Sequence, residues 1–457
     1  MKGEGGGTME IQVLGGCSGP AGKSSIGANS TFIKAGELNI LVDFGASYER
    51  VHRNEQRVHP PLPPPVSYGE IDFILLTHIH ADHGGMVPWL MSRNENVRLV
   101  TTRPTFLLAA SVWNDAHNIA SFFKHPGLAP FSQKLYANIA NRTTFIDSPG
   151  WIDLGKGVRA CFGSNGHIRG SAFVVIEHEG KRVAFSGDVG TSDTPTLKGM
   201  TSANVPEDVR GVDLLFLEST HGGRVLPPRE EEIAKMNEHI RATIGRGGRV
   251  LTAALSVDRS ANISLDQVRG GVAPVFLDGK LTAEAWDVYQ WPENRWCEND
   301  IPILNGESRK VTALFEMDGL KQNLLDSNTP ASIVSSAGSL QGGEVVRWAN
   351  LILPDPKSLL VQCSHQFDGT PGVAIESGAR TVTLRGRSVP VLCETLRVQA
   401  STHASAEKLV EVASWFTPKR IALNHGAHES RKALASLLFE STGTWAELPL
   451  DGDSLSL

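Results

Sequence analysis

Three histidines and one aspartate stand within six consecutive positions of this chain, at His78, His80, Asp82 and His83. They directly follow the apolar run Phe73-Ile74-Leu75-Leu76, which is typical of a buried strand. Residues two positions apart in an extended chain share a side, so His78 and His80 are expected to point the same way. Imidazole suits zinc and iron, and a neighbouring carboxylate fits a bridging or second-metal ligand. The spacing therefore predicts a metal site that could serve two ions.

The ordinary alternative is that these histidines are polar residues with no ligand. A single histidine after a strand is more often a satisfied surface or core residue than a metal ligand. With 15 histidines among 457 residues, however, four potential ligands in six positions are improbable by chance. We therefore prefer the metal site.

Length and composition limit the class of protein. At 457 residues the chain exceeds the usual size of one hydrophobic core, which predicts two or three domains. It has no apolar run of about 18 residues or more, the length that a membrane helix needs. The glycine-rich start lacks the apolar core of a signal peptide. We expect a cytoplasmic protein without a membrane segment and with a flexible tail over residues 1–8.

Charge and cysteine content exclude little else. The net charge of −6 neither supports nor excludes a nucleic-acid partner, because bound metal ions would add local positive charge that this count omits. The five cysteines are scattered and never spaced as Cys-x-x-Cys. This pattern argues against a disulfide framework and against a zinc finger with thiolate ligands.

Other potential ligands or proton carriers stand near the ends of predicted strands. Each alone is weak evidence, since pairs such as Gly-Asp are common in turns. For Asp43 the plain turn residue is the commoner case, although its carboxylate could equally orient a metal ligand. Repeated along the chain, these residues indicate one shared site. They are Asp43, His167, Asp188, Glu218, His403 and His425.

After Gly223 the pattern changes to alternating helices and strands. Apolar residues at helical spacing predict a helix over Glu230–Ile244. The loop Ser335-Ser336-Ala337-Gly338-Ser339 precedes a helix and resembles the backbone nests that hold phosphate, although most such loops are only turns. Strands are predicted at Arg249–Leu255, Val275–Leu277, Ser332–Ser335, Ser358–Gln362 and Val391–Thr395.

These motifs, taken in order, resemble a known family. Asp43, the His-x-His-x-Asp-His motif, His167 and Asp188 resemble the metallo-β-lactamase superfamily. The later motifs narrow the resemblance to its β-CASP branch, the RNA-processing nucleases similar to RNase J and to the endonuclease subunit of the cleavage-and-polyadenylation complex. They are Glu218-Ser219-Thr220-His221-Gly222, Ser401-Thr402-His403-Ala404 and Asn424-His425-Gly426. The resemblance implies an α/β fold: an αββα sandwich at 9–222 and 399–457, split by an inserted α/β β-CASP domain at 223–398.

The resemblance also implies roles for individual residues. One zinc ion would be held by His78, His80 and His167, and the other by Asp82, His83 and His425. Asp188 would bridge the two ions, and Asp43 would orient a ligand. The catalytic residues would be Asp82, Glu218 and His403, with His403 as general acid held by Glu218. Arg259, Ser335 and Ser336 are candidate contacts to the substrate.

The chemistry agrees with this resemblance. A two-metal site suits in-line displacement at phosphorus, and His403 could protonate the leaving O3′. We expect a zinc-dependent ribonuclease, with manganese as the alternative metal, that cuts single-stranded RNA to leave 5′-phosphate and 3′-hydroxyl ends. The sequence leaves open endonuclease against 5′-exonuclease action and RNA against DNA as the substrate, and a homodimer is one expected assembly.

Two alternatives remain at this point. A small-molecule hydrolase on the same fold, such as a lactonase or a phosphodiesterase, fits poorly with so large an insertion over the cleft. A catalytically silent subunit of an RNA-processing complex fits poorly with a complete set of ligands. Two residues depart from the family's usual pattern, since His221 stands where an aromatic residue is usual and Ser405 where an acid is usual.

Overall fold

The computed structural model describes residues 9–17, 27–52, 55–366 and 368–457. The tail predicted at residues 1–8 lies outside these ranges. Among the described residues, no helix combines the length and the hydropathy that a membrane span requires. All five cysteines are free thiols, in agreement with the sequence.

The described residues up to Glu218 form more strand than helix, and they include four α-helices. The helices are α1 (Ala81–Gly84), α2 (Val87–Met91), α3 (Arg103–Phe122) and α4 (Gln133–Asn141). The strands are β1 (Met9–Gly15), β2 (Ser30–Ala35), β3 (Leu38–Val42), β4 (Ser47–His52), β5 (Glu55–His59), β6 (Phe73–Leu75), β7 (Arg98–Thr102), β8 (Thr143–Ile146), β9 (Gly150–Gly155), β10 (Val158–Ser164), β11 (Ala172–His178), β12 (Lys181–Phe185) and β13 (Leu214–Glu218).

The next part alternates helices and strands. The helices are α5 (Arg229–Gly245), α6 (Arg259–Arg269), α7 (Lys280–Gln290), α8 (Asn305–Ser308), α9 (Asp318–Asp326), α10 (Val345–Ile352) and α11 (Pro371–Glu376). The strands are β14 (Val250–Ala253), β15 (Val275–Asp278), β16 (Val311–Ala313), β17 (Ser332–Ser335), β18 (Leu359–Gln362), β19 (Thr381–Leu384), β20 (Arg387–Pro390) and β21 (Glu394–Arg397).

The last part of the chain rejoins the first. Its elements are α12 (Ala406–Phe416), β22 (Arg420–Asn424), α13 (His428–Thr442), β23 (Ala446–Glu447) and β24 (Ser454–Ser456). β22 pairs in parallel with β13, and β24 pairs antiparallel with β1. The two ends of the chain therefore complete the same pair of sheets.

Two seven-stranded sheets form a sandwich with helices on both outer faces. Their strand orders are β24-β1-β2-β3-β6-β7-β8 and β23-β22-β13-β12-β11-β10-β9. Alternate residues of the strands, such as Ile33, Ile40 and Ile176, build the core between the sheets. Trp113 of α3 packs on the outside of the first sheet and Phe416 of α12 on the outside of the second. This arrangement confirms the predicted αββα sandwich.

The inserted segment carries its own six-stranded sheet, in the order β16-β15-β17-β14-β18-β21. All of its pairs are parallel. Its four central strands are buried on both faces, as is usual in parallel sheets. Met236 and Ile240 of α5 pack in the core on one side, and Trp348 and Ile352 of α10 in the core on the other. The α/β insertion is thus confirmed, and its strands all fall within the predicted range 223–398, whose exact limits stay a prediction.

The strand predicted at Val391–Thr395 was wrong at its start. The backbone N–H groups of Leu392 and Cys393 both donate to the carbonyl oxygen of Leu353, at 2.7 and 3.0 Å. These residues therefore cannot pair with the sheet, and β21 begins only at Glu394, opposite Leu359. Val391 and Cys393 are apolar because their side chains pack in the core beneath α10.

A fully buried arginine joins the sandwich to the insertion. Arg169 lies in the loop after β10. Its guanidinium donates to the carbonyl oxygens of Tyr289 and Ile301, both at 2.6 Å. Its guanidinium also lies 4.8 Å from the centre of the Tyr289 ring. Tyr289 in turn donates its hydroxyl to Asp258 at 2.9 Å. Arg169 thus satisfies buried backbone carbonyl groups of the insertion from a loop of the sandwich.

Replacing Arg169 with methionine is expected to destabilise the protein by about 3 kcal/mol. The reason is that buried carbonyl oxygens lose their donors, at roughly 1–3 kcal/mol each. The measurement is the thermal unfolding midpoint, with Arg159→Met as the control because the Arg159 side chain is 45% exposed. Equal midpoints for the two variants would show that Arg169 contributes no more than a surface arginine.

Candidate metal centre

The carboxyl ends of parallel strands from both sheets meet at one edge of the sandwich. In the first sheet, parallel β3 and β6 lead into Asp43 and into the segment from Thr77 to His83. In the second sheet, parallel β12, β13 and β22 lead into Asp188, Glu218 and His425. Parallel strands place their carboxyl ends on the same side of a sheet, where open α/β sheets bind ligands.

Four ligand atoms form a first cluster. The Nδ1 atom of His80 lies 3.1 Å from Nε2 of His78 and 3.1 Å from Nε2 of His167. Oδ2 of Asp188 lies 3.4 and 3.5 Å from the same two Nε2 atoms. Four atoms that bind one zinc ion at about 2.0–2.1 Å in a tetrahedron would be about 3.3 Å apart. The observed spacing fits one metal ion.

A second cluster lies on the other side of Asp188. The Oδ1 atom of Asp188 is 3.2 Å from Nε2 of His83 and 3.2 Å from Nδ1 of His425. Nε2 of His425 lies 3.1 Å from Oδ2 of Asp82. Oδ1 of Asp188 is buried and accepts no hydrogen bond of good geometry from the described residues. A buried carboxylate oxygen without a hydrogen bond is costly, so this donor set fits a cation.

The charges of the cluster agree with a cation site. Burial lowers the pKa of His80 to about 3, so this ring is neutral and its lone pair is free. Burial also lowers the pKa of His425, but Asp188, Asp82 and Glu218 raise it to about 10 overall. The His425 ring is therefore protonated when no metal is bound, and a metal ion would replace this proton.

Asp43 holds His83 in position. Nδ1 of His83 lies 2.6 Å from Oδ2 of Asp43, while the backbone N–H of Thr77 donates to Oδ1 at 2.8 Å. Asp43 adopts a left-handed backbone conformation with φ +58°. Position 45 requires glycine, because a Cβ there would lie 1.7 Å from the carbonyl oxygen of Asp82. These contacts direct Nε2 of His83 towards the cluster.

Three threonines that the sequence did not single out contact the residues of the centre. The hydroxyl of Thr220 lies 2.9 Å from Nδ1 of His425, and that of Thr402 lies 3.4 Å from Nδ1 of His167. Thr77 donates its hydroxyl to Asp43 at 2.8 Å. Partners on the second ring nitrogen orient ligating histidines. A search for hydroxyl residues within two positions of each predicted ligand or catalytic residue would have found all three.

His403 and Glu218 lie beside the two clusters. Nδ1 of His403 is 3.0 Å from Oε1 of Glu218, and its Nε2 is 4.0 Å from Oδ2 of Asp188. Glu218 is fully buried and accepts backbone N–H groups from Val189 at 2.7 Å and Thr220 at 3.1 Å. Burial lowers the pKa of His403, but Glu218 and Asp188 raise it, and the net shift is upward. His403 is thus held with a protonatable nitrogen towards the centre.

The predicted substrate residues lie in the insertion. Nη1 of Arg259 donates to the carbonyl oxygen of Cys363 at 2.6 Å. The Ser335 hydroxyl is buried and donates to the carbonyl oxygen of Asp278 at 2.9 Å, and Ser336 accepts from Thr282 at 3.2 Å. Both serines therefore have protein partners, and substrate contact by these three residues stays a prediction.

Comparison with known families decides the relationship of this chain. The model described as the beta-lactamase superfamily domain matches residues 38–244, the Beta-Casp domain matches 263–375, and the Zn-dependent metallo-hydrolase RNA specificity domain matches 388–449. The chain belongs to the β-CASP branch of the metallo-β-lactamase superfamily. The three matches follow the order in which this β-CASP chain builds its sandwich, its insertion and the return to the sandwich.

Several curated proteins are similar to this β-CASP chain along most of its length. It is 28% identical to transcription termination factor FttA of Pyrococcus abyssi, over 96% of this chain and 71% of that protein. The RNase J-like protein of Methanocaldococcus jannaschii is 25% identical, with coverages of 86% and 90%. Ribonuclease TTHA0252 of Thermus thermophilus is 27% identical, with coverages of 88% and 91%.

A solved structure shares the fold of this β-CASP chain. It is a protein of unknown function from Enterococcus faecalis V583, with a TM-score of 0.59 and 15% identity. The similarity covers 98% of this chain and 100% of that one. At this identity the comparison shows the fold alone.

In this β-CASP chain, Asp43→Asn is expected to weaken metal binding about 10- to 100-fold, because an amide holds His83 less firmly than a carboxylate does. Competition with a chromogenic chelator measures the affinity. Asp147→Asn is the matched control, since the Asp147 side chain is 80% exposed. Unchanged affinity in Asp43→Asn would show that Asp43 does not orient His83.

Proposed function

We propose that this β-CASP protein is a zinc-dependent ribonuclease that hydrolyses phosphodiester bonds of single-stranded RNA. The observation that carries the proposal is the position of His403. Its Nε2 lies 4.0 Å from the carboxylate of Asp188, while Glu218 holds its Nδ1 at 3.0 Å. A proton donor thus stands beside a centre built for cations. Relatives named ribonuclease and RNase J-like protein support RNA as the substrate.

Two zinc ions per chain are proposed, with manganese as the alternative. His78, His80 and His167 would hold one ion, Asp82, His83 and His425 would hold the other, and Asp188 would contact both. When bound, such ions supply Lewis acidity that activates water and neutralises charge on a phosphodiester. The side chains of His83, His425 and Asp188 are at most 4% exposed, so they hold this geometry without competition from solvent.

The residues beside the clusters would then serve the leaving group. A water oxygen bonds to phosphorus as the P–O3′ bond breaks, and the water loses a proton to the solvent. The O3′ atom takes a proton from Nε2 of His403, which the solvent then restores. Glu218 keeps the proton on Nδ1 of His403 directed at its own carboxylate, which fixes the ring orientation. The products are a 5′-phosphate and a 3′-hydroxyl.

Access to the centre supports a single strand as the substrate. Asp82 and His403 are 29% and 19% exposed in their side chains, whereas the other ligands of the second cluster are nearly closed to solvent. A phosphate would therefore enter through the opening beside Asp82 and His403, which a flexible strand permits. Arg224 and Arg259 lie near enough that their charges help lower the pKa of His221 beside the opening, after burial and His403. Positive charge there would attract the phosphate backbone. Cytoplasmic location and a homodimer stay predictions from the sequence.

The test is cleavage of a 5′-labelled single-stranded RNA by the zinc-loaded protein, with DNA and duplex RNA of the same sequence beside it. Internal cuts with 5′-phosphate and 3′-hydroxyl ends would support an endonuclease, and release of mononucleotides from the 5′ end an exonuclease. The matched control is the same protein stripped of metal and then reloaded with zinc or manganese. Absence of RNA cleavage by a protein shown to hold metal would contradict the proposal and favour a small-molecule hydrolase.

A further inference from the structure

His221 belongs to the Glu218-to-Gly222 motif, and the proposed reaction gives its side chain no role. It lies in the turn after β13 and approaches the loop that carries His403. The rings of His221 and His403 are 5.9 Å apart between centres and nearly perpendicular, at 89°. His221 therefore lies directly beside His403. It is also close enough to Glu218 for that charge to oppose the lowering of the His221 pKa by burial and by His403.

Ser401 links the two histidines. Nε2 of His221 lies 2.9 Å from the hydroxyl oxygen of Ser401, and the backbone N–H of His403 donates to the same oxygen at 3.1 Å. His403 is thus held twice: Glu218 holds its ring and Ser401 holds its backbone. The residues from 398 to 405 form no helix or strand, so such contacts decide where His403 stands.

The proton positions favour His221 as the donor in this link. Nδ1 of His221 is buried and has no hydrogen-bond partner among the described residues. A buried N–H without a partner is rarer than an unpaired acceptor, so the ring proton belongs on Nε2. Burial, followed by the charges of His403 and nearby arginines, lowers the pKa of His221 to about 4, which agrees with a neutral ring. The Ser401 oxygen then accepts from both His221 and His403.

We infer that His221 is a positioning residue for His403, acting through Ser401 on the step that protonates the leaving O3′. This inference rests on the proposed function. Catalytic rates depend on such positions, since a misplacement of about 1 Å costs about 100-fold. Removing His221 frees the Ser401 hydroxyl and loosens the backbone of His403, while the metal ligands keep all of their contacts.

The test compares two substrates that differ in their need for a proton. RNA has a poor leaving group that requires a general acid, whereas bis(p-nitrophenyl) phosphate releases a stable phenolate that requires none. For His221→Ala we expect kcat on RNA to fall about 10- to 100-fold with KM unchanged, and hydrolysis of the phenyl ester to stay at the wild-type rate. His221→Gln, whose amide can still donate to Ser401, should recover most of the loss. His239→Ala is the control, since His239 lies on α5 and pairs with Glu394.

A double-mutant cycle on RNA tests the path through Ser401. Ser401→Ala should show the same loss as His221→Ala, and the double variant should be no worse than either. Additive losses, a raised KM, no rescue by glutamine, or an equal loss on both substrates would overturn the inference. If the wild-type protein does not cleave RNA, the proposed function itself fails; if it does and His221→Ala is as active, only this inference fails.

Discussion

Asp188→Asn is expected to reduce the metal content from the proposed two ions per chain to one or none and to lower RNA hydrolysis at least about 10³-fold. The two oxygens of Asp188 lie within 3.5 Å of nitrogen atoms of four histidines, so this carboxylate belongs to both clusters. The amide keeps the shape but removes the negative charge that both ions require. Since a metal ion contributes several kcal/mol to stabilising a phosphoryl transition state, its loss is worth about three powers of ten or more.

Elemental analysis of the purified variant measures the metal content, and cleavage of labelled RNA measures the rate. Asp208→Asn serves as the matched control, because Asp208 is exposed, belongs to neither cluster and accepts a hydrogen bond from the indole N–H of Trp151 at 2.8 Å. Circular dichroism shows whether the fold is kept. A variant that retains two ions and full activity would contradict the assignment of Asp188 as the shared ligand.

His403→Ala is expected to lower RNA cleavage about 10²- to 10⁴-fold, the usual contribution of a general acid, while both metal ions stay bound. The reason is that Nε2 of His403 lies 4.0 Å from Asp188, beside the clusters, and its Nδ1 is engaged by Glu218. Single-turnover cleavage of labelled RNA measures the rate, and elemental analysis measures the metal content.

The metal content of His403→Ala separates two roles. Ligand atoms of Asp188, Glu218, His403 and His425 all lie within 4.8 Å of one another, so these residues could also hold an ion. Loss of one ion in His403→Ala would make His403 a ligand instead of an acid. Glu218→Gln should show a smaller loss of rate than His403→Ala, because the proton donor remains and only its orientation is weakened. A larger loss with glutamine would mean that Glu218 does more than orient the ring.

The sequence by itself determined the types of residue at the centre and the elements that carry them. The His-x-His spacing after Phe73–Leu75 places two rings on one side of an extended chain, and the structure has their nitrogen atoms 3.1 Å apart. Short continuous apolar runs likewise identified the strands that lead into Asp188, Glu218 and His425. Such local patterns depend only on near neighbours in the chain, so the sequence is sufficient for them.

Only the tertiary structure decided which of these residues meet and what holds them. His425 and Asp82 are 343 positions apart in the chain but 3.1 Å apart in space. The reason is that β22 pairs in parallel with β13 in the second sheet, and this sheet packs against the first, whose β6 leads into Asp82. The carbonyl oxygen of Leu353 accepts the N–H groups just before β21 and so decides where this strand starts. The hydroxyl of Ser401 links His221 to His403. Hydrogen bonds between distant segments depend on the packing of whole sheets, and periodicity along the chain carries no record of them.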